Sequence, residues 1–266
     1  MRTIDQLLEF DNQIYKVIEK NQALIFRFNK DSKIPKISNV LINFIIKTNF
    51  IKEGIFELYK SDNLYSINIL CRSLIEHFLR FEYIFLRVLK EKIDDIGEEY
   101  LKLCALNEDI DIGKAWKFVG EMIGKNTDSA PYDILKEINS NNEKYSKDEI
   151  KNSTNHFRYR DIIRYINQNI NKDLKYEDNS FILNIIPNYS ELSSFVHGGP
   201  NADKVMMKYI NKKSRDEELL NKIDLAFMIT ASIKLHSFLV FCQFDKKFSK
   251  GYLEIDKIIK TQNTIY

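Results

Sequence analysis

Chain-breaking residues are scarce in this sequence. Its 266 residues hold 8 Gly and 4 Pro, too few to punctuate the many tight turns of a sandwich or barrel, and this favours long helices. Cysteine is rarer still. Cys71, Cys104 and Cys242 are odd in number, far apart and without a Cys-x-x-Cys pair, which argues against a disulfide framework or a structural zinc site and fits a reduced, cytoplasmic protein. A surplus of one charge is also missing: 40 Lys and Arg face 38 Asp and Glu, for a net charge of +2. The large basic excess of a general nucleic-acid binder is therefore absent, and only a local basic patch is left open. No Walker loop, Rossmann fingerprint, zinc spacing or nucleophile elbow occurs, so neither a cofactor nor a metal is expected. The start, Met1 to Glu9, is amphipathic and acidic early, which is not the pattern of a signal peptide.

What the chain does have is apolar periodicity. Hydrophobic residues make up 44% and aromatics 12%, enough for a sizeable core. The stretch Asn63 to Lys92 reads as one long helix. Ile67, Leu70, Leu74, Ile75, Phe78, Phe81, Ile84, Phe85 and Val88 cover nearly its whole circumference, the mark of a helix at the centre of a core.

Around it, helices are expected at Ile4 to Phe28, Lys36 to Lys60, Asp94 to Asn107, Ile110 to Lys125, Arg158 to Ile170, Phe181 to Val196, Ala202 to Lys213, Asp216 to Phe244 and Tyr252 to Lys260. Trp116, Phe118, Val119 and Met122 have core spacing. Pro187 should interrupt its helix and start a fresh turn at Asn188. Gly198-Gly199-Pro200 should stop it, and Asn201 could cap the next helix. Residues 126–154 are rich in Asn, Ser, Lys and Asp and read as an exposed excursion. No stretch alternates as a strand. The expectation is an all-α, antiparallel helical bundle in a single domain, 1–266.

Leu225 to Phe244 is long enough to span a bilayer but holds Lys234, His236 and Gln243. A charge near the centre of a span costs about 2.5–3.5 kcal/mol on insertion scales, so the stretch reads as a buried core helix, with His236 a core histidine and no membrane partner.

Two polar lines cross this apolar background. Asn68, Arg72, Glu76 and Arg80 recur every fourth residue on the central helix, with Ser73 and His77 beside them, and Tyr189, Ser193 and His197 repeat the spacing on a later one. Brought together, an Arg, a Glu, a Tyr, a Ser and a His could bind an anion or move a proton. The same residues could instead pair internally and fix helix register. His156 sits in a basic, aromatic run through Asp161 that could stack on single-stranded RNA, or simply edge a loop.

The strings Arg72-Ser73-Leu74-Ile75-Glu76 and Tyr189 to Gly199 resemble the two signature segments, Arg-Ser-x-x-Glu and Tyr-x-x-x-Ser-x-x-Val-His-Gly, of a bacterial all-helical family of unknown function. More loosely, Arg72-x4-His77 resembles the Arg-x4–6-His motif of the HEPN superfamily, helical ribonucleases and non-catalytic relatives of bacterial toxin–antitoxin and antiphage systems. That resemblance implies a cytoplasmic homodimer that cleaves RNA without a metal, together with an antitoxin or defence-system partner. Arg72 would hold the phosphate and His77 would move the proton, with Glu76, Tyr189 and Ser193 orienting them and Tyr189, Ser193, Asn68 and Arg80 binding the substrate. Residues five apart on a helix lie about 140° apart, which makes His197 the other candidate partner of Arg72. A non-enzymatic module that binds a partner protein or a small anion is the alternative expectation.

Overall fold

Thr3 opens the first helix with a capping box: its side chain accepts from the Gln6 N–H, and the Gln6 side chain accepts from the Thr3 N–H. The computed structural model describes residues 2–124, 157–173 and 180–263. Within them lie α1 (Ile4–Asp31), α2 (Pro35–Lys60), α3 (Leu64–Glu91), α4 (Asp95–Met122), α5 (Tyr159–Asp173), α6 (Ser180–Val196), α7 (Pro200–Lys208), α8 (Lys212–Phe244) and α9 (Ser249–Asn263). The described residues contain no strand, so the fold is all-α.

Local chemistry sets the joints. Pro35 takes the first position of α2, where its missing N–H costs nothing. Asn63 accepts from the Ser66 N–H to start α3. Gly198, with φ +61°, ends α6, and the Gly199 N–H returns to the Ser194 carbonyl at 2.9 Å.

Several expectations need correction. Asp94 to Lys125 is not two helices: α4 runs unbroken to Met122. Pro187 does not break α6, which passes through it; proline forfeits one helical bond there, and next to it the Asn188 side-chain amide donates to the Asn184 carbonyl. Asn201 does not cap α7. Gly199 holds that position, with Pro200 following it. Trp116 is not core: it is 63% exposed, and Phe118, Val119 and Met122 are exposed with it. The excursion at 126–154 and His156 fall outside the described residues.

One hydrophobic cluster draws residues from every described helix, with α3 against α2, α4, α5, α6 and α8. The α6 contacts run in reverse order along α3. Phe181 meets Phe78, Tyr189 meets Arg72, and Phe195 meets Tyr65. Helix α8 is long and apolar enough to cross a membrane, and 67% of its apolar window is buried inside the protein.

The core also holds charge. Asp11 of α1 lies between Lys52 of α2 and Lys234 of α8, whose side chains are 2% and 3% exposed. Asp11 Oδ2 accepts from Lys52 Nζ, and Oδ1 accepts from Lys234 Nζ at 3.2 Å. Buried Glu82 and His236 form a second pair, Oε1 to Nδ1 at 2.7 Å, with the imidazole stacked 4.4 Å from the Phe85 ring. His236 is thus a partnered core histidine.

Helices α2 and α4 approach backbone to backbone. A Cβ on Gly97 would sit 2.6 Å from the Ile37 nitrogen and the Lys36 carbonyl carbon. Beside it, Asp94 accepts from the Ile37 N–H at 2.9 Å and the Lys36 N–H at 3.3 Å. The first turn of α2 has no side-chain cap from its own N-cap residue, Ile34; a carboxylate 57 residues downstream of Ile37 supplies one.

Candidate functional site

The polar line of α3 climbs out of the core as the helix proceeds. Asn68 is 1% exposed, the Arg72 side chain 14%, and the Glu76 and Arg80 side chains 30% each. Spacing by four puts these groups in one row, and the row joins up. Arg72 Nη1 donates to Glu76 Oε2, and Arg80 Nη2 donates to Glu76 Oε1 at 2.5 Å. Two guanidinium groups thus flank a single carboxylate.

Tyr189 of α6 covers this row. Arg72 Nη2 donates to the Tyr189 hydroxyl, and the guanidinium carbon lies 3.7 Å from the ring centroid, a cation–π contact. The other face of the stack is Tyr159 of α5, whose ring centroid is 3.6 Å from that of Tyr189 at an interplanar angle of 14°. Tyr65, at the start of α3, donates to the Phe195 carbonyl at 3.1 Å and fixes the far end of α6.

The charges tune one another. Burial works to raise the Glu76 pKa, but the Arg72 hydrogen bond and the charges of Arg80 and Arg72 outweigh it, and the carboxyl falls below its ordinary value. Burial pushes the Tyr159 phenol up to about 12, with Tyr189 adding to it, and raises Tyr189 as well. On the other flank burial lifts Tyr100 to about 12 and Cys104 to about 11, with Arg80 pulling both down and Glu108 pushing both up.

His77 lies one residue from Glu76 and has a defined tautomer. Its Nδ1 is 2.8 Å from the Ser73 carbonyl, which can only accept, so Nδ1 carries the hydrogen and Nε2 keeps a lone pair. Burial lowers its pKa, the Ser73 carbonyl opposes this, and the Arg80 charge lowers it further. The net lowering favours the neutral imidazole, which meets the Phe44 ring in a T-shaped contact.

Arg72, Glu76, Arg80 and Tyr189 therefore meet, as the two lines predicted. His197 does not join them. A shared face is not a shared point: eight residues separate it from Tyr189, about 12 Å along a helix axis, and the reversed contact order carries α6 toward Tyr65. His197 is exposed, just past the end of α6, with no hydrogen bond or ion pair to Arg72. Ser193 is half-buried and makes no hydrogen bond to the cluster. Asn68 is inside, and its Oδ1 is buried without a partner among the described residues, as is Arg72 Nε one turn away.

Tyr159 and Tyr65 were not anticipated. Tyr159 belongs to the aromatic, basic run from His156 to Asp161, and it stacks on Tyr189. Among the described residues, no three His, Cys, Asp or Glu side chains are grouped to hold a metal ion.

Arg72→Lys tests the geometry. A single ammonium cannot reach Glu76 and Tyr189 while also covering the ring, so a loss of about 1–2 kcal/mol in urea unfolding is expected. An unchanged midpoint would mean that α3 and α6 are not joined through this guanidinium. Comparison with family models, with curated proteins and with solved structures gives no match to this chain.

Proposed function

We propose that this chain is a HEPN-like, antiparallel helical protein of a bacterial defence or toxin–antitoxin type. It acts as a cytoplasmic homodimer on RNA and answers to an antitoxin or defence-system protein. The observation that carries this reading is the row itself: two guanidinium groups share one carboxylate at a half-open helix interface, beside a neutral, oriented histidine. The surplus positive charge suits a phosphodiester. Arg80 and Arg72 would steady the phosphate, and His77 Nε2 would take the proton of the ribose 2′-hydroxyl. The 2′-oxygen would then bond to phosphorus, giving a 2′,3′-cyclic phosphate, as the bond from phosphorus to the 5′-oxygen breaks and that oxygen takes a proton from water.

A second reading is favoured by a different observation. Both terminal nitrogens of Arg72 are already held, one by Glu76 and one by Tyr189. A guanidinium so engaged serves to fix register, and the chain would then be a non-enzymatic module that binds a partner protein or a small anion at Arg80.

RNA cleavage by the full chain in EDTA separates the two. On the first reading the wild type cuts, His77→Ala loses about 10²–10⁴-fold, and folded His197→Ala keeps its activity. If only His197→Ala is dead, the proton is moved by His197 and the His77 assignment falls. A folded wild type that leaves varied RNAs intact sinks the enzymatic reading.

A further inference from the structure

None of the residues of this row lines a pocket of about 280 Å³ between α1 and α2. Its walls are mostly apolar (Tyr15, Ile18, Ile45, Ile46 and Phe50), and Asn49, Glu53 and, from α8, Lys234 also line it. Counting donors shows what is unusual there. An ammonium offers three N–H groups. Lys52 Nζ meets Asp11, Glu53 at 3.3 Å and the face of Phe227 at 5.0 Å. Lys234 Nζ has Asp11 Oδ1 at 3.2 Å as its one hydrogen-bond acceptor among the described residues. Two N–H groups of a nearly buried cation are left to find acceptors in an apolar setting, where unmade bonds are costly.

Lys52 and Lys234 share one mostly buried carboxylate, Asp11. Glu53, which also pairs with Lys52 and lines the pocket, has a side chain 58% exposed and is screened by solvent, so it leaves the two free N–H groups of Lys234 unmet. We propose that this pocket binds a small monocarboxylic acid with an apolar tail, the tail lying between α1 and α2 and the carboxylate on Lys234. The side-chain amide of Asn49 lines the same pocket, and its Oδ1 is shielded without a partner among the described residues; with its two ends exchanged it would donate to the same carboxylate. Burial and the Lys52 charge pull the Lys234 pKa down against Asp11, and a bound anion would oppose that pull.

Calorimetric titration of the full chain with octanoate, octan-1-ol and acetate near pH 7 tests this. Octanoate should bind at least ten-fold tighter than octanol, and acetate, which lacks the tail, should not bind measurably. Lys234→Met, which leaves Asp11 its Lys52 partner, should lose the octanoate preference and keep the octanol affinity. Ile46→Trp, outside the charge cluster, should block both and keeps the test informative if Lys234→Met does not fold. Octanol binding as tightly as octanoate, Lys234→Met retaining the preference, or no octanoate binding to the wild type would each overturn the proposal.

Discussion

Replacing Asp11 by alanine is expected to lower the unfolding free energy at pH 7 by about 3 kcal/mol, the low end for breaking a buried ion pair because the carboxylate is partly exposed. The variant strands Lys234 and leaves Lys52 with the exposed Glu53 alone, in a space lined by Phe227 and the apolar faces of α1 and α2. Desolvation, not lost attraction, supplies most of the cost.

The pH dependence gives the sign. Lys234 sits below its ordinary value of 10.5, chiefly through burial. Between that lowered folded value and 10.5 the unfolded chain binds more protons, so stability rises with pH in this window. Without Asp11 to oppose it the lowering grows, and the deficit should shrink from pH 7 to pH 9.5 as the lysine sheds its proton. Asp11 itself is lowered: burial raises it, but Lys234 and Lys52 outweigh that. Its contribution is present above 3.8 and lost as pH falls through its lower folded value, so variant and wild type should converge in acid. Urea midpoints at three pH values check all of this, and adding Lys234→Met to Asp11→Ala should recover part of the loss. A deficit under about 1 kcal/mol, the scale of a surface pair, would mean that the three groups are solvated.

Gly97→Ala is expected to cost about 3 kcal/mol, although alanine is the better helix former by up to about 1 kcal/mol. The new methyl would meet the Lys36 and Ile37 backbone, which cannot rotate aside as a side chain can. Relief requires α4 to withdraw from α2, and the two Asp94 hydrogen bonds go with it. Gly54→Ala provides the contrast, since its added methyl meets a flexible end, Leu70 Cδ1, at 3.3 Å. Thermal unfolding should separate the two substitutions clearly. Equal melting temperatures would show that α2 and α4 do not touch at Gly97.

How much of this was legible follows from the range over which each signal acts. Helix α3 could be read because its informative residues, from the Asn63 cap to Arg80, lie within one helix and repeat at its period. Tyr189 could be paired with that row because it starts the second polar line. The buried trio could not be read: Lys52 is 41 residues from Asp11 and Lys234 is 223 from it, and no local period links three helices. The trace that existed was Lys234 itself, a charge inside an apolar run, which excluded a span but did not name a partner. Trp116 was misassigned because helical spacing shows that a face is apolar without showing that anything covers it. His197 was placed too near Arg72 because periodicity fixes direction around an axis and leaves distance along it free.

The carboxylate that caps α2 from the start of α4 has a consequence for how the chain opens. The Lys36 and Ile37 amides donate to Asp94, so departure of α4 should speed their exchange with solvent even while α2 stays folded. The beginning of one helix thus belongs to the cooperative unit of another. That unit closes only after the 33 intervening residues of chain, Ser61 to Ile93, have formed α3 and returned α4 to the same end.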